Sequence, residues 1–318
     1  MDTGAKIYVA GHNGLVGSAL CRKLESSGYR NLICLSRSEL DLCDQRATRE
    51  FFENQKPDYV FLAAAKVGGI HANVSQPAQF IHDNLSISVN ILEAARQSGV
   101  TKLLYLGSSC IYPKMSPQPI AEEALLTSSL EPSNSYYAIA KIAGLKMCDA
   151  YNRQYGTNFI TTMPTNLYGP NDNFDLETSH VLPALLRKRH DAKTDQAKEL
   201  VVWGSGTPRR EFLHADDLAD ACVFLMQNCS ASELDGHVNI GTGVDVSIRE
   251  LTHLIQKTVD YKGALAFDAS KPDGTPRKLL NVDKMNKLGW TAKKTLEKGL
   301  EDTYDWYLAN LNLSKDAS

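Results

Sequence analysis

The chain has 318 residues, enough to bury a large core as two domains or as one doubly wound domain with an appended lobe. A formal charge of −3 and a pI near 6.2 exclude the basic field that nonspecific nucleic-acid binding needs, so the expected partner is a small molecule or another subunit. No apolar run approaches membrane-spanning length, and the first strand pattern begins too close to Met1 for a secretory leader, so the expected location is cytoplasmic.

In chain order, Lys6 to Ala10 reads as a strand, Leu15 to Ser27 as a helix with Leu20 and Leu24 on one face, and Asn31 to Leu35 as a second strand. Tyr59 to Ala65 is a strand apolar enough to be covered on both faces. Pro77 to Ser98 and Ser135 to Tyr155 read as long helices flanking the strand Leu103 to Leu106. This alternation predicts an α/β fold, a Rossmann-type doubly wound parallel sheet, with a smaller C-terminal α/β lobe. The expected division is 1–165 for a dinucleotide-binding domain, to which later segments return, and 166–318 for a mainly substrate-binding lobe.

From Asn166 to Asn173 glycine, proline and asparagine cluster, which marks a loop or lobe boundary. Helices resume at His180 to His190, Asp217 to Asn228 and Ile248 to Val259, the last opened by a Ser247-x-x-Glu250 capping box. Asp191 to Lys198 reads as an exposed polar loop, Asp216 and Asp217 as helix caps, and residues after Leu313 as a frayed end.

Between the first strand and its helix lies Gly11-His12-Asn13-Gly14-Leu15-Val16-Gly17. The first glycine permits the turn, the second admits a pyrophosphate to the backbone, and the third lets the helix pack closely, so this loop is expected to bind a dinucleotide. At the end of the second strand, Ser36-Arg37-Ser38 replaces the acid that would hold an NAD ribose, and Arg37 favours NADP(H) by pairing with a 2′-phosphate, the alternative being a solvated surface arginine. Asp44 reads equally as an adenine-edge contact or a helix cap.

Tyr137 and Lys141 lie one helical turn apart, so both project from one face, and a neighbouring ammonium is expected to lower the phenol pKa. The strand ending at Leu106 opens into Gly107-Ser108-Ser109-Cys110-Ile111-Tyr112-Pro113, at the sheet edge where ligands bind. Of the seven cysteines (21, 34, 43, 110, 148, 222 and 229), none has Cys-x-x-Cys or His-paired spacing, so neither a disulfide framework nor a metal is expected. Six read as inert thiols in apolar or helical contexts, and Cys110 as either a reactive thiol or a buried loop residue.

Together, the glycine loop, the Ser108/Tyr137/Lys141 set and the segments Met163 to Pro170, Ser179 to Pro183 and Trp203 to Phe212 resemble the extended short-chain dehydrogenase/reductase superfamily over nearly the whole chain. The resemblance implies a redox centre of Ser108, Tyr137 and Lys141, with Lys141 also holding the nicotinamide ribose. It implies further cofactor contacts from Leu106, Pro164, Thr165, Asn166, Leu167 and His180. Sugar-nucleotide dehydratases of this superfamily carry Thr-Asp-Glu where this chain has Ser108, Ser109 and Cys110, so elimination of water is not expected. Instead the resemblance implies that Cys110 and His180 epimerise GDP-4-keto-6-deoxy-D-mannose at C3 and C5 and that NADPH reduces C4, giving GDP-L-fucose. His180 also admits a purely structural hydrogen bond.

The same resemblance assigns the GDP-linked keto-deoxy sugar to the C-terminal lobe, with Lys188 and Arg210 at the diphosphate, Trp203 stacked on base or sugar, and Asp273 near the GDP end. It also implies a homodimer through the two long helices. Another NADP-dependent nucleotide-sugar epimerase or reductase, and a non-catalytic NADP-binding sensor, remain alternatives.

Overall fold

A computed structural model describes residues 1–271 and 273–311; the expected frayed end after Leu313 lies outside the described residues. The chain runs β1 (Ile7–Ala10), α1 (Leu15–Ser26), β2 (Leu32–Ile33), α2 (Gln45–Gln55), β3 (Tyr59–Leu62), α3 (Ile70–Ser75), α4 (Pro77–Gln97), β4 (Lys102–Leu106), α5 (Ser135–Tyr155) and β5 (Phe159–Pro164). It continues through β6 (Asn166–Tyr168), α6 (Val181–Thr194), β7 (Glu199–Trp203), β8 (Arg209–His214), α7 (Ala215–Asn228), α8 (Ala231–Leu234), β9 (Val238–Ile240), β10 (Asp245–Ser247) and α9 (Ile248–Val259). The last elements are β11 (Ala264–Asp268), β12 (Arg277–Lys278), α10 (Asp283–Lys287) and α11 (Leu296–Ala309).

Six parallel strands in the order β2-β1-β3-β4-β5-β9 form the main sheet. The two-residue alternation of a strand sends Ile7, Val9, Leu104 and Leu106 into one core layer and Tyr8, Ala10, Leu103 and Tyr105 into the other. Both faces are therefore covered, which explains why these strands are almost wholly apolar. Because β1 connects to β2 on one side and β3 joins on the other, the order reverses beside β1, and the crevice at the carboxyl ends of the strands opens there.

The second half returns to this sheet through β9 and through α7, which packs on α1. Buried Lys102, at the start of β4, anchors α7: its ammonium donates to Leu225 O and Met226 O, both at 2.9 Å, and to Cys229 O. The smaller lobe has its own core between α6, α9 and α11 and is organised around β8. β8 pairs parallel with β6 and β12 and antiparallel with β10, and the register places Lys278 of β12 opposite Arg210 of β8.

Several sequence expectations are corrected. Asn166–Tyr168 forms strand β6, because its backbone finds partners at Phe212, Leu213 and His214. The segment read as a loop from Asp191 is helical through Thr194, with Asp195 as its C-terminal cap. Asp216 and Asp217 do not cap α7; His214 does, its Nδ1 accepting from Asp216 N at 3.2 Å. Asp216 instead pairs with Arg22 at 2.6 Å, and Asp217 accepts from the Lys293 and Lys294 backbone N–H groups at 3.0 and 2.8 Å. Asp44 accepts from Ala47 N at 2.9 Å as the cap of α2, and the Ser247/Glu250 capping box is present.

Gly144 sets how close α5 comes to the sheet, since a Cβ there would lie 2.3 Å from the Tyr105 hydroxyl oxygen. Gly144→Ala should lower the unfolding free energy by about 1–3 kcal/mol through overpacking. Urea denaturation checks this, and an unchanged midpoint would contradict it.

Candidate active site

The glycine loop closes the N-terminal end of the crevice. Gly11 has φ +85° and lies so near β3 that a Cβ would come within 2.8 Å of the Ala64 backbone, while one on Gly17 would come within 2.0 Å of Gly11 O. Helix α1 thus starts on top of its own loop, with His12, Asn13, Gly14, Leu15 and Val16 at its N-terminus. Gly14 caps it without a side-chain hydrogen bond, and no acid occupies the first turn. Uncapped N–H groups at a helix start suit a diphosphate, and the buried His12 Nδ1 has no hydrogen-bond partner. The loop therefore fits a dinucleotide. Arg37, beyond β2, is exposed and only loosely paired with Asp41 at 3.8 Å, which leaves its guanidinium available for a phosphate.

Leu106 ends β4, and Pro164, Thr165, Asn166 and Leu167 span the β5–β6 junction on the same edge. Asn166 Nδ2 donates to Glu211 O at 2.8 Å and Thr165 Oγ1 to the same carbonyl at 3.3 Å. With these side chains engaged inward, the segment offers the crevice mainly backbone.

Ser108 caps the single helical turn Ser109–Ile111, its hydroxyl accepting from Cys110 N at 3.3 Å. Lys141, one turn beyond Tyr137 on α5, is buried and donates to Leu106 O at 2.8 Å. Burial pushes its pKa down to about 8. Tyr137 is half-buried, its ring edge-on to Phe80 at 6.3 Å. Contrary to expectation, its hydroxyl is driven above the ordinary phenol range: burial raises it most, Cys110 and Tyr105 add to this, and Ser108 offsets part. The Lys141 ammonium faces the Leu106 carbonyl, 6.0 Å from the Tyr137 ring centre, and does not overcome that desolvation. Tyr137 is held protonated.

Cys110 has the opposite environment. Burial disfavours its thiolate, but the Lys278 ammonium and hydrogen bonds from Ser108, Lys278 and Asn134 outweigh that, so the thiol lies below the ordinary cysteine range. Lys278 Nζ is 3.5 Å from Cys110 Sγ. Sequence reasoning missed Lys278 and Asn134. Lys278 follows Asp273 by five residues in an undistinguished basic pair, and only the pairing of β12 with β8 delivers it to the cleft. Asn134 precedes α5, and its buried Oδ1 has no partner.

His180 occupies the N-cap position of α6 without making a side-chain capping bond. Its ring keeps solvent contact at the cleft mouth, yet the surrounding walls desolvate it. Burial and then the Lys278 charge lower its pKa.

Farther along α6, Lys188 faces Trp203 at 5.5 Å, and Lys271 approaches the same ring at 5.3 Å. Together with Val181, Ala184, Leu185 and Val201, Lys188 and Trp203 line a mainly apolar groove of about 140 Å³. Trp203 is 68% exposed, an unusual state for indole unless something stacks on it. Arg210 is half-buried, donates to Arg209 O at 2.8 Å, and has its pKa lowered by burial. Asp273 is tied to the loop after β7, accepting from Ser205 N at 3.0 Å and Ser205 Oγ at 2.6 Å, so it shapes the groove end through that loop. Among the described residues no group of histidine, cysteine and carboxylate side chains is arranged to hold a metal ion, and no helix is long and apolar enough to cross a membrane.

A parallel sheet with a glycine loop at its switch point and a Ser/Tyr/Lys centre defines a nucleotide-dependent epimerase or dehydrogenase of the extended short-chain type. Residues 7–241 match the family model "NAD dependent epimerase/dehydratase family", and the chain belongs to that family. It is 60% identical over 310 residues to GDP-L-fucose synthase 1 of Arabidopsis thaliana, spanning 98% of this chain and 95% of that protein. It is 55% identical over 311 residues to GDP-L-fucose synthase of Escherichia coli (strain K12), spanning 96% and 97%. Among solved structures, a GDP-L-fucose synthetase from Naegleria fowleri bound to NADP superposes with a TM-score of 0.90 at 29% identity, covering 99% of this chain and 97% of that one.

Removing the charge beside the thiol should raise its pKa. In Lys278→Met, the pH midpoint for iodoacetamide alkylation of Cys110, followed by peptide mass, should move up by roughly one to three pH units. A midpoint shared with the unaltered protein would show that Lys278 does not set the thiolate.

Proposed function

We propose that this protein epimerises GDP-4-keto-6-deoxy-D-mannose at C3 and C5 and reduces C4 with NADPH, giving GDP-L-fucose. The observation that carries this reading is Cys110, held toward the thiolate by Lys278 beside a Tyr137 that is kept protonated. Ser109 and Cys110 replace the acid and base that elimination would require, whereas epimerisation needs one base and an acid on the opposite face.

C3 and C5 both flank the 4-keto carbon, so one arrangement serves both. Cys110 removes the C3 proton, and the Tyr137 and Ser108 hydroxyls stabilise the charge that develops on O4. His180 delivers a proton to the opposite face. Its low pKa makes the imidazolium a ready donor, and solvent contact at the cleft mouth supplies the next proton. Once Cys110 has released the proton it took from C3 to solvent and His180 has regained one, the same pair acts at C5. When bound, NADPH supplies the hydride that reduces C4. Tyr137 protonates O4, while Lys141 holds the nicotinamide ribose and steadies the phenol. The glycine loop carries the diphosphate, Arg37 the 2′-phosphate, and Leu106 with Pro164 to Leu167 the nicotinamide end. Lys188, Trp203 and Arg210 receive GDP, with Asp273 supporting the loop at that end.

Residues 1–165, joined by α7 and β9, form the cofactor half in this reading, and most of 166–318 forms the substrate lobe. Helices α4 and α5 pack together and leave Val89, Tyr136 and Ile139 exposed, which supports a homodimer through this pair. All seven cysteines are free thiols, as suits a protein of the reducing cytoplasm.

Purified protein incubated with GDP-4-keto-6-deoxy-D-mannose and NADPH should oxidise the cofactor and yield GDP-L-fucose; a product reduced at C4 without inversion at C3 and C5 would contradict the assignment. Tyr137→Phe should cut reduction by about 10²–10⁴-fold. The same variant should lose less of its exchange of the C3 and C5 hydrogens with heavy water, because Ser108 still stabilises O4, and equal loss of both activities would count against the separation of roles.

A further inference from the structure

Cys21 and Cys34, read from sequence as inert thiols, face each other across the cofactor half. Cys21 lies on α1, one turn beyond Gly17, and Cys34 immediately follows β2, three residues before Arg37. Their sulfurs are 3.6 Å apart, and both side chains are half-buried, within reach of small solutes. We propose that Cys21 and Cys34 are an oxidation site at which a peroxide forms an intramolecular disulfide that weakens NADPH binding.

Either sulfur can donate in the hydrogen bond between them, and the one that accepts becomes the nucleophile. With Cys21 donating, that role falls to Cys34, whose thiol is lowered while Cys21 is raised from the ordinary range. The Cys34 thiolate attacks one peroxide oxygen, forming an S–O bond and breaking the O–O bond; the hydroxide released takes up a proton as water. Cys21 then attacks the sulfenic sulfur, forming the S–S bond and expelling the second oxygen, which leaves as water with the Cys21 proton. Two thiols lose two electrons in total, and one peroxide becomes two waters. A dithiol reductant reverses the bond by exchange.

Closing the bond requires the sulfurs to approach from 3.6 Å to about 2.05 Å. Helix α1 is buried along Ala19, Leu20 and Leu24, whereas β2 is a two-residue edge strand. The yielding side is therefore β2 and the turn that follows, which carries Arg37. The effect on the cofactor rests on Arg37 holding the 2′-phosphate, so oxidation should weaken NADPH binding and leave NADH binding unaltered.

The test treats the reduced full chain with hydrogen peroxide and reads two quantities. The first is a tryptic species joining residues 7–22 to residues 31–37, about 2 Da lighter than the separate peptides because forming the S–S bond removes two hydrogens. The second is NADPH and NADH affinity by cofactor fluorescence, which oxidation of Cys110 does not confound as turnover would. The linked species should form, NADPH affinity should fall by at least about five-fold, the low end of coupling between two sites, and dithiothreitol should restore it. Cys34→Ser should show neither change. Unlinked peptides, or a linked form with unaltered NADPH affinity, overturn the proposal. Arg37→Ala on reduced protein tests the phosphate reading separately, through loss of preference for NADPH over NADH.

Discussion

The mechanism proposed for this chain depends on one charge placed against one thiol: the Lys278 ammonium 3.5 Å from Cys110. Burial alone would keep the thiol protonated, because a desolvated thiolate is costly. At this separation an opposite charge contributes a few kcal/mol in a partly solvated site, and about 1.4 kcal/mol changes an acid dissociation constant tenfold. The attraction, with hydrogen bonds from Ser108 and Asn134, is thus large enough to reverse the effect of burial. The two partners come from different parts of the fold. Cys110 follows a strand of the cofactor sheet, whereas Lys278 arrives on a short strand whose place is set by pairing with Arg209 and Arg210. In the proposed mechanism the base is therefore assembled from both halves of the chain, Cys110 after β4 and Lys278 on β12.

The same ammonium also acts on His180, in the opposite sense. It favours a thiolate and disfavours an imidazolium, so Cys110 is made the better proton acceptor and His180, once protonated, the better donor. Tyr137 completes the set by remaining protonated through burial. Cys110 and His180 are thereby driven toward thiolate and neutral imidazole, while Tyr137 is kept protonated. In the proposed mechanism that arrangement lets Cys110 take a proton, Tyr137 protonate O4, and His180, once protonated from solvent, return a proton within one pocket.

Much of this was legible in the sequence where a local pattern has a single physical meaning. The apolar strands, the glycine loop and the Tyr137/Lys141 spacing each reflect a contact made within a short stretch of chain or across one layer. The Ser247/Glu250 capping box is equally local. What escaped was set by distant partners. Lys278 is indistinguishable from other surface lysines until β12 finds its register on β8, and Asp216 and Asp217 are drawn from capping by Arg22 and the Lys293–Lys294 backbone. The Tyr137 pKa was misjudged because helical spacing shows that Lys141 is near, but not that its ammonium faces Leu106 O. Cys21 and Cys34 looked inert for the same reason: their proximity belongs to the packing of α1 beside β2.

The central claim is that Cys110 is the base for proton removal and has no part in holding the cofactor. The direct measurement is the rate at which Cys110→Ser exchanges the substrate C3 and C5 hydrogens with heavy water, read by nuclear magnetic resonance beside its NADPH affinity. Exchange should fall by about 10²-fold or more, the usual contribution of a general base, with NADPH affinity preserved. Exchange at the unaltered rate would remove Cys110 from the mechanism.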